Sequence, residues 1–152
     1  MPTPALAPLD VLLIERACER LVLDSVAAND RQDYDALAAL FADDARLTRP
    51  SSPDPVVGRD DIVRSYRSRP PGRITRHVCT NVRIVVESAD RARGTSYIML
   101  FSADGTQVAD GHFGVKADSR QLVGEFVDEF VRTTDGWRIA ARRATFTLHA
   151  SK

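Results

Sequence analysis

RHVCTNVRIVVE, running from Arg76 to Glu87, reads as a strand over its whole length. Counting by two from His77 puts Cys79, Asn81 and Arg83 beside it on one face, with Val78, Thr80, Val82, Ile84 and Val86 on an almost wholly apolar opposite face. A strand of that pattern belongs to a sheet with one packed side and one more polar side. It also sets an imidazole, the side chain most easily tuned to exchange protons near neutral pH, on the less apolar side, which raises the question of which acid faces it. The candidate is Asp30, where the apolar periodicity of an upstream helix fails. Two plainer readings stand beside that pairing. A lone strand histidine commonly serves as a structural hydrogen-bonding residue, and an aspartate at a helix corner commonly caps the next helix or closes its own backbone turn.

Upstream of this strand the pattern is helical. Ile14, Ala17, Cys18, Leu21, Val22 and Ser25 recur at helical steps with Glu15, Arg16, Glu19, Arg20 and Asp24 opposite them, which predicts a helix over about 10–28 with Asp10 as its cap. Asp33 then caps a shorter helix carrying Leu37, Leu40 and Phe41. Pro50, Pro53 and Pro55 make the next stretch a stiff loop. Gly58 precedes a short helix from Asp60 to about Ser68, with Ile62, Val63 and Tyr66 as its buried positions, and Pro70-Pro71-Gly72 ends it.

Downstream the chain turns to strands. A turn at Ser88 to Asp90 leads into GTSYIMLFSA (Gly94 to Ala103), Asp104-Gly105 signals a hairpin, and the glycine-broken run Gln107 to Val115 is a weak third strand. VGEFVDEFVR (Val123 to Arg132) places Gly124, Phe126, Asp128 and Phe130 on one side and Val123, Val127 and Val131 on the other. Asp135-Gly136 turns it back into a last strand ending near Leu148. Helices first and long strands afterwards make the fold α+β, with the helices covering one face of a curved antiparallel sheet.

The 152 residues suit one domain over 10–148, preceded by a flexible arm (1–9) and followed by a short tail (149–152). With 21 Lys and Arg against 21 Asp and Glu, no net field attracts a polyanion, which argues against nucleic acid as a partner. The apolar run Val11 to Ile14 is far shorter than a membrane span or the core of a signal segment, which points to a cytoplasmic protein with no membrane partner. Cys18 and Cys79 stand in separate elements and read as small buried thiols. The three histidines are scattered, with no His-x-x-x-His or cysteine cluster, so no metal is expected. The chain has no glycine-rich phosphate loop and no nucleophile elbow.

In order and spacing, AANDRQDYDALAALFADDA (Ala27 to Ala45), the Gly58-Arg59-Asp60 helix start, RHVCTN (Arg76 to Asn81) and VGEFVDEFVRTTDGWRIAARR (Val123 to Arg143) resemble the SnoaL-like branch of the nuclear-transport-factor-2-like, or cystatin-like, superfamily. The resemblance covers roughly residues 10–145. It implies a cone-shaped, curved antiparallel β-sheet wrapped around three N-terminal helices. The pattern is most similar to the group containing scytalone dehydratase and bile-acid 7α-dehydratase, in which an aspartate after the first helix and a histidine on the sheet face each other inside the cone. Carried over residue by residue, these are Asp30 and His77. That group also places tyrosines in the pocket, where this chain has Ser25 and Phe126; Tyr66 and Tyr97 are the phenols that could substitute.

For chemistry, the resemblance implies a small cofactor-independent lyase (dehydratase) or isomerase acting on a hydrophobic cyclic small molecule, with Asp30 orienting His77 as the acid-base group. A pocket in such a cone would take Phe126, Phe130, Met99 and Phe101 as apolar lining, with Tyr97 within possible reach. Asn81 would donate to a developing oxyanion, and Asp128, in phase with Phe126 and Phe130, would be a second acid. The plainer readings are that Asp128 pairs with Arg142 or Arg132 across the sheet and that Asn81 closes a local backbone bond. The alternative function is a non-catalytic small-molecule-binding or assembly domain of the same fold. Superfamily members commonly pair through the outer sheet face, so a homodimer is expected, with Val82, Ile84, Val123, Val127 and Val131 as its apolar surface.

Overall fold

Pro8 opens the first helix, where its missing N–H falls among donors that have no intrahelical acceptor in any case. The computed structural model describes residues 6–151. Of the arm expected over 1–9, residues 1–5 lie outside the described residues, and Pro8 and Leu9 are already helical. Helix α1 (Pro8–Arg31) thus starts before Asp10, which sits in its first turn without capping it, and continues beyond 28. Gln32, in left-handed backbone (φ 57°), ends it, and the Gln32 and Asp33 N–H groups close on carbonyls of the last turn. The Gln32 side-chain amide donates to the Arg73 carbonyl at 2.9 Å, tying this helix end to the sheet.

Asp33 accepts from the Ala36 N–H at 3.1 Å as the cap of α2 (Tyr34–Ala38). This helix is shorter than its apolar spacing predicts, because Phe41 opens strand β1 (Phe41–Arg49). β1 turns back into β2 (Ser52–Val57), the stretch expected to be a proline-stiffened loop. The prolines are tolerated because β2 is an edge strand with no further neighbour waiting for their N–H groups. Gly58 (φ 93°) precedes α3 (Arg59–Arg67), whose Ile62, Val63 and Tyr66 are buried as the periodicity requires.

β3 (Arg73–Val86), β4 (Arg91–Asp104), β5 (Gln121–Thr133) and β6 (Gly136–Ala150) complete a curved, open sheet in the order β2-β1-β6-β5-β4-β3. Neighbours are antiparallel except β1 and β6, which run parallel, so the sheet is mixed. No turn joins those two strands directly, and nothing forces them to run opposite ways. α1 packs against β3, β4 and β6, with Cys18, Leu21, Val22, Phe130 and Ile139 in the core. Asp135-Gly136 turns β5 into β6, whereas Asp104-Gly105 only ends β4: residues 105–120 return to β5 as a loop with one 3-10 turn (Gly111–Phe113). β6 runs on with His149 opposite Leu122, so the tail expected from 149 begins as strand.

Bulges reset the faces of the sheet, on β3 at Asn81 and on β6 at Ala140 and at Thr147. On β3 the register passes from Thr80 opposite Tyr97 to Arg83 opposite Thr95, with Asn81 in left-handed backbone (φ 53°) at the insertion. Strand phase inverts there. Thr75, His77 and Cys79 are the more buried residues before it, and Val82, Ile84 and Val86 pack against the core after it. The single apolar face expected from Val78 to Val86 is therefore divided, with Val78 and Thr80 outside. On β6, Ala140 is the extra residue between Ile139, opposite Phe130, and Ala141, opposite Glu129, so Ile139 and Arg142 both reach the interior. Across the outer side the register aligns Val78, Met99, Val123 and Leu148 in one row. Val82, Ile84 and Val131, expected in that outer surface, pack against the core instead. Among the described residues no helix is long and apolar enough to cross a membrane.

Candidate functional site

Asp30 lies in the last turn of α1, a poor place for a lone carboxylate because the helix presents its negative end there. Three donors from β3 offset this. The Thr75 hydroxyl donates to Oδ1 at 2.8 Å, the His77 backbone N–H donates to Oδ2 at 2.8 Å, and the His77 ring Nδ1 meets Oδ1 at 2.6 Å. The His77 and Asp30 side chains are 10% and 12% exposed, so the contact is shielded from water. Burial by itself would raise the Asp30 carboxyl. Hydrogen bonds from the His77 side chain and backbone, the His77 charge and the Thr75 hydroxyl outweigh it and hold the carboxyl below the usual carboxylate range. Since a carboxylate only accepts, Nδ1 directs its hydrogen at Asp30, and a neutral His77 keeps its lone pair on Nε2. Nε2 has no protein hydrogen-bond partner among the described residues and is not sealed off; it opens on the cavity that His77 lines.

That cavity holds about 430 Å³, within the range of small-molecule sites. Leu47 from β1, Ile98 and Leu100 from β4, Phe126 from β5 and Phe146 from β6 give it apolar walls. Thr75, His77 and Tyr66 add polar groups, and Arg49, Arg69, Arg73 and Arg142 add charge, while no carboxylate among the described residues lines it.

A second carboxylate–cation pair lies deeper. Arg142 donates from Nε to Asp128 Oδ1 and from Nη2 to Oδ2, both at 2.7 Å, and from Nη1 to Ser25 Oγ at 2.7 Å. The Ser25 hydroxyl in turn donates to the Val22 carbonyl at 2.7 Å, and the guanidinium lies 4.1 Å over the Phe126 ring. Burial disfavours the Arg142 charge, but Asp128 outweighs it and holds the guanidinium above the usual arginine range. Asp128, expected as a second acid facing the cavity, is 1% exposed and bound to Arg142 across the sheet, so it does not reach the cavity. Ser25, standing where the resemblance placed a tyrosine, is the third member of that cluster.

Of the other expected lining residues, Phe126 lines the cavity and Phe130 is buried in the core without reaching it. Tyr97 and Met99 are 53% and 39% exposed on the outer side, and Asn81 is exposed at the bulge; none of the three lines the cavity. The reason is strand phase. β4 buries its small residues Ala92, Gly94 and Ser96 together with Ile98, which leaves the larger Tyr97 and Met99 outside. Tyr66 is the phenol that reaches the cavity. Thr75 was missed although one step of two from His77 finds it. Arg49 and Arg69 gave no sequence signal, because one stands just before the Pro50–Pro55 stretch and the other just before Pro70-Pro71-Gly72. Burial pushes the Cys18 thiol up to about 12 and raises that of Cys79 as well, so neither is poised as a nucleophile. Among the described residues no three His, Cys, Asp or Glu side chains cluster as metal ligands would.

Solved structures share this architecture. The chain is similar to a candidate scytalone dehydratase from Novosphingobium aromaticivorans (21% identity, TM-score 0.77, covering 96% of this chain and 92% of that one). It is similar to a hexachlorocyclohexane dehydrochlorinase, LinA-type3, from Novosphingobium barchaimii (19% identity, TM-score 0.78, covering 96% and 94%). A third similar structure is a nuclear-transport-factor-2-like protein with a cystatin-like fold from Novosphingobium aromaticivorans (21% identity, TM-score 0.69, covering 89% and 83%). At these identities the likeness shows the fold, which is the cystatin-like one. No curated protein matches the chain. A family model described as a SnoaL-like domain matches residues 10–143, the span from the first helix into the last strand, and the chain belongs to that SnoaL-like family.

Proposed function

We propose that the chain is a cofactor-independent lyase that removes water, or a comparable small acid, from a hydrophobic cyclic molecule, with His77 as the general base and Asp30 as its orienting partner. The observation that carries this reading is the 2.6 Å contact of His77 Nδ1 with Asp30, which leaves Nε2 open to a largely apolar cavity. Nε2 takes a proton from the carbon beside a carbonyl. The electron pair of that C–H bond becomes the new double bond as the hydroxyl leaves with its own bonding pair. The imidazolium, stabilised by the Asp30 carboxylate, returns the proton to the departing hydroxide as water. An isomerisation would differ only in returning the proton to another carbon. The names of two similar structures, a dehydratase and a dehydrochlorinase, both denote eliminations and support the lyase form.

Turnover of a panel of cyclic hydroxy-ketones by wild type, His77→Ala and Asp30→Asn tests the proposal. A positioned general base contributes about 10²–10⁴-fold, so a loss of that order is expected in His77→Ala. Unchanged turnover in both variants removes the lyase reading. One observation favours a ligand-binding domain without turnover instead: Asp30 also accepts from Thr75 and from the His77 backbone, contacts that clamp α1 to β3 whatever the ring does. In that case the variants shift Tm and bind ligand, and no substrate in the panel is consumed by the wild type. The outer row of Val78, Met99, Val123 and Leu148 is the face we assign to a homodimer. Light scattering of wild type and Met99→Arg checks it: a dimer that becomes a monomer is expected, and a wild-type monomer refutes it.

A further inference from the structure

The chain carries balanced charge, yet among the described residues its cavity is lined by four arginines and no carboxylate. Two of the four have their counter-charge in the protein: Arg142 pairs with Asp128, and Arg73 pairs with Asp118. Arg49 and Arg69 have none, since no carboxylate among the described residues stands within ion-pair distance of either. Both are gathered on one ring. The Arg49 guanidinium carbon lies 4.5 Å and that of Arg69 4.6 Å from the centroid of Tyr66, itself on α3 and lining the cavity. Arg49 is fixed in place by donating from Nη2 to Ser65 Oγ at 2.8 Å, while its Nε is buried with no acceptor. Arg69 makes a single long contact, 3.4 Å, to the Asn29 side-chain oxygen. Burial lowers the Arg49 pKa; the Tyr66 phenol works against this and the nearby Arg69 charge adds to it.

Two like charges held together over one ring, one of them partly out of water, are unfavourable unless something anionic joins them. The tyrosine face offsets part of this by cation–π attraction but supplies no net negative charge and no hydrogen-bond acceptor for the guanidinium forks. We propose that Arg49 and Arg69, set on Tyr66 at the wall of the cavity, form a carboxylate-binding subsite, so that the molecule entering the cavity is the anion of a hydrophobic ring acid. A carboxylate fits better than a phosphate, because Leu47, Ile98, Leu100, Phe126 and Phe146 give the cavity apolar walls for the ring that carries it and a planar anion matches planar guanidinium forks. The subsite rests on the reading of the cavity as a small-molecule site, and it is independent of whether His77 turns the molecule over.

Calorimetric titration with 2-naphthoate, its neutral isostere 2-naphthamide and inorganic phosphate tests this on the full chain. Wild type should prefer the acid over the amide by about tenfold or more, the scale of a charge-assisted pair. Arg69→Gln, at an exposed side chain, and Arg49→Gln should each lose most of that preference, and Arg93→Gln, on the outer side, should keep it. Equal affinity for acid and amide, or a preference that survives both cavity variants, overturns the subsite and leaves the cavity reading standing. Saturable binding of neither naphthyl probe overturns the subsite and counts against the cavity as a hydrophobic small-molecule site. Phosphate that displaces naphthoate at equal concentration overturns the assignment to carboxylates.

Discussion

Asp30–His77 and Asp128–Arg142 are built from the same parts. Each sets a carboxylate against a nitrogen base on the inner side of the sheet, and each adds one hydroxyl, Thr75 on the carboxylate of the first and Ser25 on the guanidinium of the second. They differ in what is left over. All three guanidinium nitrogens of Arg142 are bonded, and a guanidinium does not lose its proton in a protein. The imidazole can lose its proton, uses one ring nitrogen on Asp30, and leaves the other facing the cavity. A pair with every guanidinium nitrogen bonded fastens strands and helix together. A pair with one nitrogen unmatched at a cavity wall is equipped for proton transfer.

The largest effect expected from breaking this comparison is on the fully bonded side. Asp128→Ala leaves the Arg142 charge buried without a partner, which should cost about 3–5 kcal/mol, a large share of the net stability of a domain this size. Urea denaturation measures it, and a loss below about 1 kcal/mol would mean that the pair does not fasten the fold. His77→Ala should do the reverse. Turnover falls about 10²–10⁴-fold while stability changes by about 1 kcal/mol, because Asp30 keeps the β3 backbone donor and the Thr75 hydroxyl. A stability loss as large as that of Asp128→Ala, with substrate turnover intact, would put both pairs in the same structural class.

The sequence made the less fully bonded pair easier to see than the fully bonded one. Asp30 closes the first helix and His77 stands near the start of β3, and the family resemblance, more than either periodicity, set the two facing each other. Arg142 follows a bulge at Ala140, and an alternation counted from Trp137 sets it opposite to Ile139, whereas both point inward. The same kind of insertion at Asn81 inverts the second half of β3 and moves Val82 and Ile84 from the outer surface to the core. Bulges answer to sheet twist and partner strands, which one strand's periodicity does not record. Tyr97 and Met99 were misplaced for a different reason. Large residues normally mark the packed side, but on β4 the packed side is kept small: a Cβ on Gly94 would stand 2.8 Å from Ile84 and 2.9 Å from Phe130. β2 was hidden by prolines that only an edge position excuses.

The smallest expected effect sharpens the comparison at the Asp30 carboxyl itself. Folding lowers its proton affinity relative to the unfolded chain, in which an aspartate titrates near about 3.9. Its contribution to stability is therefore fully present above that value and is lost as pH falls through the lower folded value. The Tm difference between wild type and Asp30→Asn should shrink as pH falls from about 4 through the lower folded value. A difference that widens toward acid would reverse the sign and mean that the folded protein holds the carboxyl protonated. Thr75→Val, which removes one donor to Oδ1 and leaves both His77 contacts, should shift this acid limb to higher pH. An unmoved limb would assign the low proton affinity of the carboxyl to the imidazole and the β3 backbone alone, and leave the threonine a packing role.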